Sequence, residues 1–227
     1  MTDLRDCTDP DAWQPQLDAA AGAVSNGELV VLPTDTVYGV GADAFTPAAV
    51  AALLEAKGRG RHKPPPVLIG DVMTMDALAT NVSADARALA QEFWPGPLTL
   101  ILTAQPSLMW DLGETRGTVA LRVPDHPCAL ALLKQTGPLA VSSANRSGRA
   151  PALECADAAE QLGDSIRVYL DAGTTPGQVP STIIDCTGEV PVILRAGAIG
   201  IDDLRAIVPK IAAPREEQGT DGEANAE

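Results

Sequence analysis

The sequence predicts a mixed α/β domain over residues 1–213, a sheet with flanking helices. Three observations predict it. Short runs rich in Val, Leu and Ile alternate with helically spaced segments along the chain, without any sequence repeat, which is the pattern of strands and helices layered in one mixed sheet. The composition is 45% hydrophobic but only 3% aromatic, so the core must be built from small aliphatic side chains. The polar motifs fall beyond the ends of apolar runs, where open α/β sheets collect ligands.

The elements follow in order. Leu17, Ala20, Ala21 and Val24 predict a helix over 15–24 that Asn26-Gly27 can end. The run Glu28-Leu29-Val30-Val31-Leu32 is a strand emptying into the hydroxyl-rich loop Pro33-Thr34-Asp35-Thr36-Val37-Tyr38-Gly39-Val40-Gly41. Thr46-Pro47 has the form of an N-cap with proline at the first helical position, opening a helix over 48–56. That helix delivers Lys57 at its C-terminal end, where a cation complements the helix dipole. Residues 66–69 form a short apolar strand, and Ser83 caps a helix over 84–93 that the Trp94-Pro95-Gly96-Pro97 turn stops. Strands are predicted at 98–103 and 118–123, a helix at 127–135 terminated by Gly137, and a small-residue strand at 138–142 that leads into Ser143. A helix at 155–162, strands at 166–170, 182–185 and 192–194, and a helix at 202–207 complete the domain.

Charge excludes several functions. The formal net charge is −14, and residues 214–227 carry Glu216, Glu217, Asp221, Glu223 and Glu227 against Arg215 alone. That segment, with no aliphatic residue larger than Ala, is expected to be a disordered acidic tail. The body is acidic too, which disfavours broad phosphate-backbone binding, and seven aromatics give little surface for stacking bases. No apolar run approaches the ~20 residues of a membrane span. Residues 1–6 lack the basic and apolar regions of a signal peptide, so a soluble, cytoplasmic protein is expected. Cys7, Cys128, Cys155 and Cys186 are far apart with no CxxC pair, and the only histidines are His62 and His126. Buried thiols are expected, with no zinc site or disulfide framework.

Against this acidity stands Lys57-Gly58-Arg59-Gly60-Arg61-His62-Lys63-Pro64-Pro65-Pro66, with four fixed positive charges and no acid. Its glycines remove bulk between the cations and its prolines stiffen the exit, so the charges do not spread along a helix face. On spacing alone it is either a solvated basic turn or a loop that surrounds phosphate or carboxylate.

The ordered motifs decide between these. PTDTVYGVGADA at 33–44, AKGRGRHKP at 56–64, FWPGPLTL at 93–100, VALRVP at 119–124, SSANRSG at 142–148, STIID at 181–185 and LRAG at 194–197 together resemble the YrdC/TsaC family of threonylcarbamoyl-AMP synthases. The resemblance extends from about residue 27 to about 207. It implies a single YrdC-like domain, a twisted mixed sheet with flanking helices and a concave ligand cleft, that joins L-threonine, bicarbonate and ATP into L-threonylcarbamoyl-adenylate and releases pyrophosphate. The product would pass to the machinery that transfers threonylcarbamoyl to an adenosine of tRNA, with direct tRNA binding weak or absent.

The resemblance also implies residue roles. Lys57 and Arg59 match the family's KxR pattern and would contact the ATP phosphates and the charge that develops there, as the catalytic pair. Arg61 and Lys63 either join them or are solvated. Thr34 would fix the amino acid by its hydroxyl, with Thr36 and Tyr38 nearby or merely shaping the loop. Arg122 would take the threonine carboxylate through a bidentate pair, the alternative being a structural salt bridge. Ser143 and Asn145 match the family's SxN pattern and Arg195 its nucleotide-contacting arginine, with Thr118 a further nucleotide candidate. Ser181 matches the threonine-site serine. Asp35 and Asp185 would hold the basic residues in place. Mg2+ is expected with the ATP, with no dedicated protein cage.

The chain departs from the family pattern at Gly60 and Pro65-Pro66, at Leu68 where histidine is common, and at Ser142 where proline is frequent. It resembles the short form of the family, without the further C-terminal domain of longer members. Two rivals remain: an RNA-binding YrdC-like module, and a paralogue of the YciO group or of the hydrogenase-maturation carbamoyltransferases. The intact KxR, SxN and Ser181 positions favour the threonine enzyme.

Overall fold

The computed structural model describes residues 3–213, so the predicted acidic tail at 214–227 lies outside the described residues. The strands are β1 Leu4–Asp6, β2 Val30–Leu32, β3 Gly39–Asp43, β4 Val67–Leu68, β5 Ala79–Thr80, β6 Leu98–Ala104, β7 Thr118–Arg122, β8 Leu139–Ser143, β9 Val168–Asp171, β10 Thr182–Asp185 and β11 Val192–Arg195. The helices are α1 Gln14–Ser25, α2 Pro47–Lys57, α3 Thr74–Leu78, α4 Ala84–Phe93, α5 Pro127–Thr136, α6 Cys155–Leu162 and α7 Ile201–Ile207. The strands form one mixed sheet in the order β1-β9-β2-β3-β8-β4-β7-β6-β10-β11, with β5 beside β6. Every helix and strand expected from the sequence is present within a few residues of its expected bounds.

The main difference lies at 39–43, where the sequence suggests a continuing loop and the chain instead makes β3, antiparallel to both β2 and β8. Glycine permits this insertion, because a Cβ on Gly39 would stand 2.6 Å from Cγ1 of Val141 on β8. The edge strand β1 and the short α3 and β5 also lack a sequence signal, each being five residues or fewer. Thr46 does not cap α2 with its side chain. Its hydroxyl bonds Asp43 Oδ2 at 2.6 Å, tying the helix start to the end of β3.

Alternation along the central strands divides apolar from polar. Leu98, Leu100 and Leu102 of β6, with Val119 and Leu121 of β7, enter a core shared with Ala86, Leu89 and Ala90 of α4 and Leu204 of α7. The intervening Thr99 and Ile101, and Thr118, Ala120 and Arg122, line a cleft. A second apolar cluster packs α1 and α5 against β2, β8 and β9, and a third packs α2 and α6 against β2, β3 and β9. All four cysteines are buried free thiols. Ser83 caps α4 by accepting from the Ala86 amide at 3.2 Å. Ser83→Ala is therefore expected to cost about 1 kcal/mol, read as a fall in urea midpoint at unchanged slope.

Candidate active site

The cleft encloses about 450 Å3. Its floor comes from β6, β7 and β10, one side from the 34–39 loop and the end of β8, and another from the 59–66 loop. Segments far apart along the chain therefore meet in it.

The amino end is organised by hydroxyls. Thr34 Oγ1 donates to Val37 O at 2.6 Å and accepts from the Thr36 amide at 3.2 Å, a local turn that fixes the loop. Because the Thr34 proton is committed to Val37, Thr36 donates in the 3.0 Å bond between the two hydroxyls. Thr36 Oγ1 in turn accepts from Arg122 Nη1 at 3.0 Å. Arg122 is 7% exposed, and its Nε and Nη2 are held by Gly96 O at 3.0 Å and Asp35 Oδ1 at 2.6 Å. Burial lowers its pKa and Asp35 opposes that. Three of its five N–H groups are thus engaged by these partners, and one on each terminal nitrogen is left for an acceptor in the cleft.

On the opposite wall, Ser181 Oγ pairs with Thr99 Oγ1 at 2.8 Å and accepts from Arg195 Nη2 at 3.1 Å. Arg195 also donates Nε and Nη2 to Ser181 O at 3.1 and 2.7 Å. Arg59 donates Nη1 to Ser142 Oγ at 3.0 Å, while its buried Nε has no partner among the described residues. Burial lowers the Arg59 pKa; burial, then Arg122 and Arg59, lower that of Arg195. Arg59, Arg122 and Arg195 all line this one cleft.

Other expected residues sit differently. The Lys57 ammonium bonds Ser143 O and, at 2.7 Å, Asn145 O, and Lys57 is not among the residues lining the cleft. Asn145 is likewise turned to the protein, its Nδ2 bonding Arg146 O at 2.9 Å and Arg149 O at 2.8 Å. Arg61 makes an exposed ion pair with Asp111 at 2.7 Å outside the cleft, whereas Lys63 lines it. Tyr38 borders the cleft and sends its phenol to Gly173 O at 2.6 Å, a packing role. Thr118 and Ser143 line the cleft, Thr118 with its hydroxyl on Thr115 O at 2.8 Å. Asp35 supports a basic residue as expected; Asp185 instead bonds the Thr187 amide and hydroxyl at 2.9 and 2.6 Å. Its role as a support is thereby corrected: it closes the turn after β10.

Sequence reasoning missed Thr99 and Thr115. Thr99 carries a signal only once the two-residue period of β6 is set beside Ser181, and Thr115 lies in a loop without periodicity. Leu68, at a position where the family favours histidine, gives the cleft an aliphatic patch beside Pro64, Pro65 and Pro66.

Known proteins share this fold and much of this sequence. Residues 22–197 match the Sua5, YciO and YrdC family model, described as telomere recombination. The chain belongs to the Sua5/YciO/YrdC family. A Mycobacterium tuberculosis member, provisionally named a threonylcarbamoyl-AMP synthase, is 49% identical over 213 residues, covering 94% of this chain and 98% of its own. The Bacillus subtilis threonylcarbamoyl-AMP synthase is 40% identical over 200 residues, 87% of this chain and 58% of that longer protein. Among solved structures, Pyrococcus abyssi Sua5 complexed with L-threonine superposes with TM-score 0.87 at 34% identity, covering 94% of this chain and 62% of that one. Escherichia coli YciO shares the fold at TM-score 0.78 and 24% identity, covering 90% of this chain and 98% of its own. Within the Sua5/YciO/YrdC family, then, this chain corresponds to the common domain and spans 62% of the P. abyssi protein.

Proposed function

We propose that this cleft forms L-threonylcarbamoyl-adenylate from L-threonine, bicarbonate and ATP, a nucleotidyl transfer that releases pyrophosphate. The observation that carries this reading is the convergence of Arg59, Arg122 and Arg195 on one cleft of a strongly acidic protein, where Asp35, the acid bonded to them among the described residues, is taken by Arg122. A site so arranged suits a ligand set that is itself polyanionic.

The amino acid carboxylate would take the two remaining Arg122 N–H groups, with Thr36 and the Thr99–Ser181 pair beside it for its hydroxyl and amine, while Thr34 spends its hydroxyl holding the loop. The threonine nitrogen attacks the carbon of bicarbonate, which loses water, and a carbamate forms. A carbamate oxygen then attacks the α-phosphorus as the bond to the β-phosphate oxygen breaks. Arg59 and Arg195 neutralise the triphosphate and the charge that grows on the leaving pyrophosphate, while Ser143 borders the nucleotide. Positioning and charge neutralisation dominate such a reaction. Mg2+ would accompany the ATP and supply charge neutralisation at its phosphates. The product would feed threonylcarbamoyl transfer to tRNA, and a cytoplasmic location fits that role. No described helix is long and apolar enough to cross a membrane.

Pyrophosphate release assayed with each of the twenty amino acids tests the proposal. Release is expected only with L-threonine and only with bicarbonate. Equal release with alanine, or without bicarbonate, overturns it.

A further inference from the structure

We infer that Lys57 is a positioning residue that sets the Ser143–Asn145 turn, and that it makes no contact with the triphosphate. The inference rests on the adenylate-forming reading above and assigns a different task to a buried cation beside that site.

Lys57 is 3% exposed. An ammonium has three N–H donors, and here they face three oxygens: Ser143 O, Asn145 O at 2.7 Å and Asn145 Oδ1 at 3.5 Å. None is left for a phosphate. The backbone is stitched at the same place, since the Ser147 amide donates to Lys57 O at 2.8 Å. On its other side Lys57 borders a separate groove with Glu55 and Arg146. The side chain is thus a strut running from the end of α2 beneath the turn whose Ser143 borders the cleft.

Electrostatics agree with a strut. Burial, then Arg59, lowers the Lys57 pKa to about 8, so at neutral pH the ammonium still carries its proton and its full set of donors. The Arg59 backbone is anchored away from this side chain, while its guanidinium reaches Ser142 Oγ at 3.0 Å, one residue before the turn. The left-handed Gly58, at φ 62°, ends α2, and the Arg59 amide bonds Leu54 O at 2.9 Å. Removing the Lys57 ammonium therefore disturbs the turn first, while the Arg59 guanidinium keeps its backbone anchor and its partner Ser142, which is paired with Val40 in the β3–β8 ladder.

The two roles separate when the nucleotide is divided into AMP and pyrophosphate. Titration calorimetry on the full chain with each probe reads them directly. With Lys57→Met, AMP affinity is expected to fall about tenfold or more, the scale of leaving buried carbonyls unpaired, and ATP affinity by a similar factor. Pyrophosphate affinity should stay within about twofold of the wild type, on the scale of an unaltered contact set. Arg59→Met should show the reverse, losing pyrophosphate first. Pyrophosphate binding weakened as much as AMP binding in Lys57→Met, or AMP binding unchanged, overturns the inference. If Lys57→Met does not fold, Asn145→Ala takes its place, because that side chain touches Lys57 and two carbonyls of the turn. The same loss of AMP with pyrophosphate retained is then expected, and a parallel loss of both, or of neither, overturns the inference. Failure of the adenylate reading itself would appear separately, in the wild-type pyrophosphate-release assay.

Discussion

Arg59→Ala is expected to lower kcat/KM by on the order of a hundredfold or more while leaving the melting temperature nearly unchanged. Among the described residues the guanidinium has one partner, Ser142 Oγ at 3.0 Å, and a buried Nε with none. Its truncation therefore removes little that holds the protein together. In the proposed reaction the same group would face phosphate in a partly desolvated cleft, where a charged contact is stronger than at the surface. Arg59→Lys should recover only part of the loss, since an ammonium cannot reproduce a two-pronged contact. Arg61→Ala is the internal control. Its ion pair with Asp111 joins side chains 54% and 44% exposed, so both activity and stability should change little. Steady-state kinetics with thermal melts check the set, and an Arg59→Ala variant with wild-type kinetics would remove Arg59 from the site.

Arg122 should behave in the opposite way. Arg122→Met leaves Asp35 buried without its cation, in a pair whose side chains are 8% and 11% exposed, with Asp35 Oδ2 already lacking a partner among the described residues. Breaking one side of such a pair costs about 3–5 kcal/mol. Adding Asp35→Asn should restore much of that stability, because the uncompensated charge is gone, but none of the threonine-dependent activity. Urea unfolding of the two single variants and the double variant reads the stability, and pyrophosphate release reads the function. If the double variant is as unstable as Arg122→Met, the bonds to Gly96 and Thr36 are what matter and the charge pair is not.

Much of this architecture is legible in the sequence, and the reasons for the remainder are physical. The bounds of α4, α6 and β10 follow directly from local signals, a serine cap, helical spacing and an apolar run. Strand β3 is illegible because its glycines are chosen for close approach to β8, information held by the distant Val141. For the cleft, motif order brings Thr34, Arg59, Arg122, Ser181 and Arg195 together. It does not reveal direction. Lys57 and Asn145 carry the same polar groups as cleft ligands yet turn them toward backbone carbonyls, and Arg61 finds Asp111 in a loop with no periodicity. Which way a donor points depends on acceptors far along the chain, and no local spacing encodes that.

The pairing of β10 alongside β6, and of β9 alongside β2, has a consequence during protein synthesis. The ribosome releases the Thr34 loop and the Lys57–Pro66 loop long before Ser181 and Arg195 emerge. Until β10 and β11 arrive, Thr99 has no hydroxyl opposite and the cleft lacks one wall, while the half of β6 from Leu98 to Ile101, beyond the reach of β5, stands as a sheet edge open to wrong partners. Nascent chains stalled before residue 181 should therefore hold neither ATP nor threonine, and competence should arrive in a single step as the last two strands dock. A sheet whose neighbours lie so far apart in sequence also argues for slow final assembly, since long-range closures come late in folding.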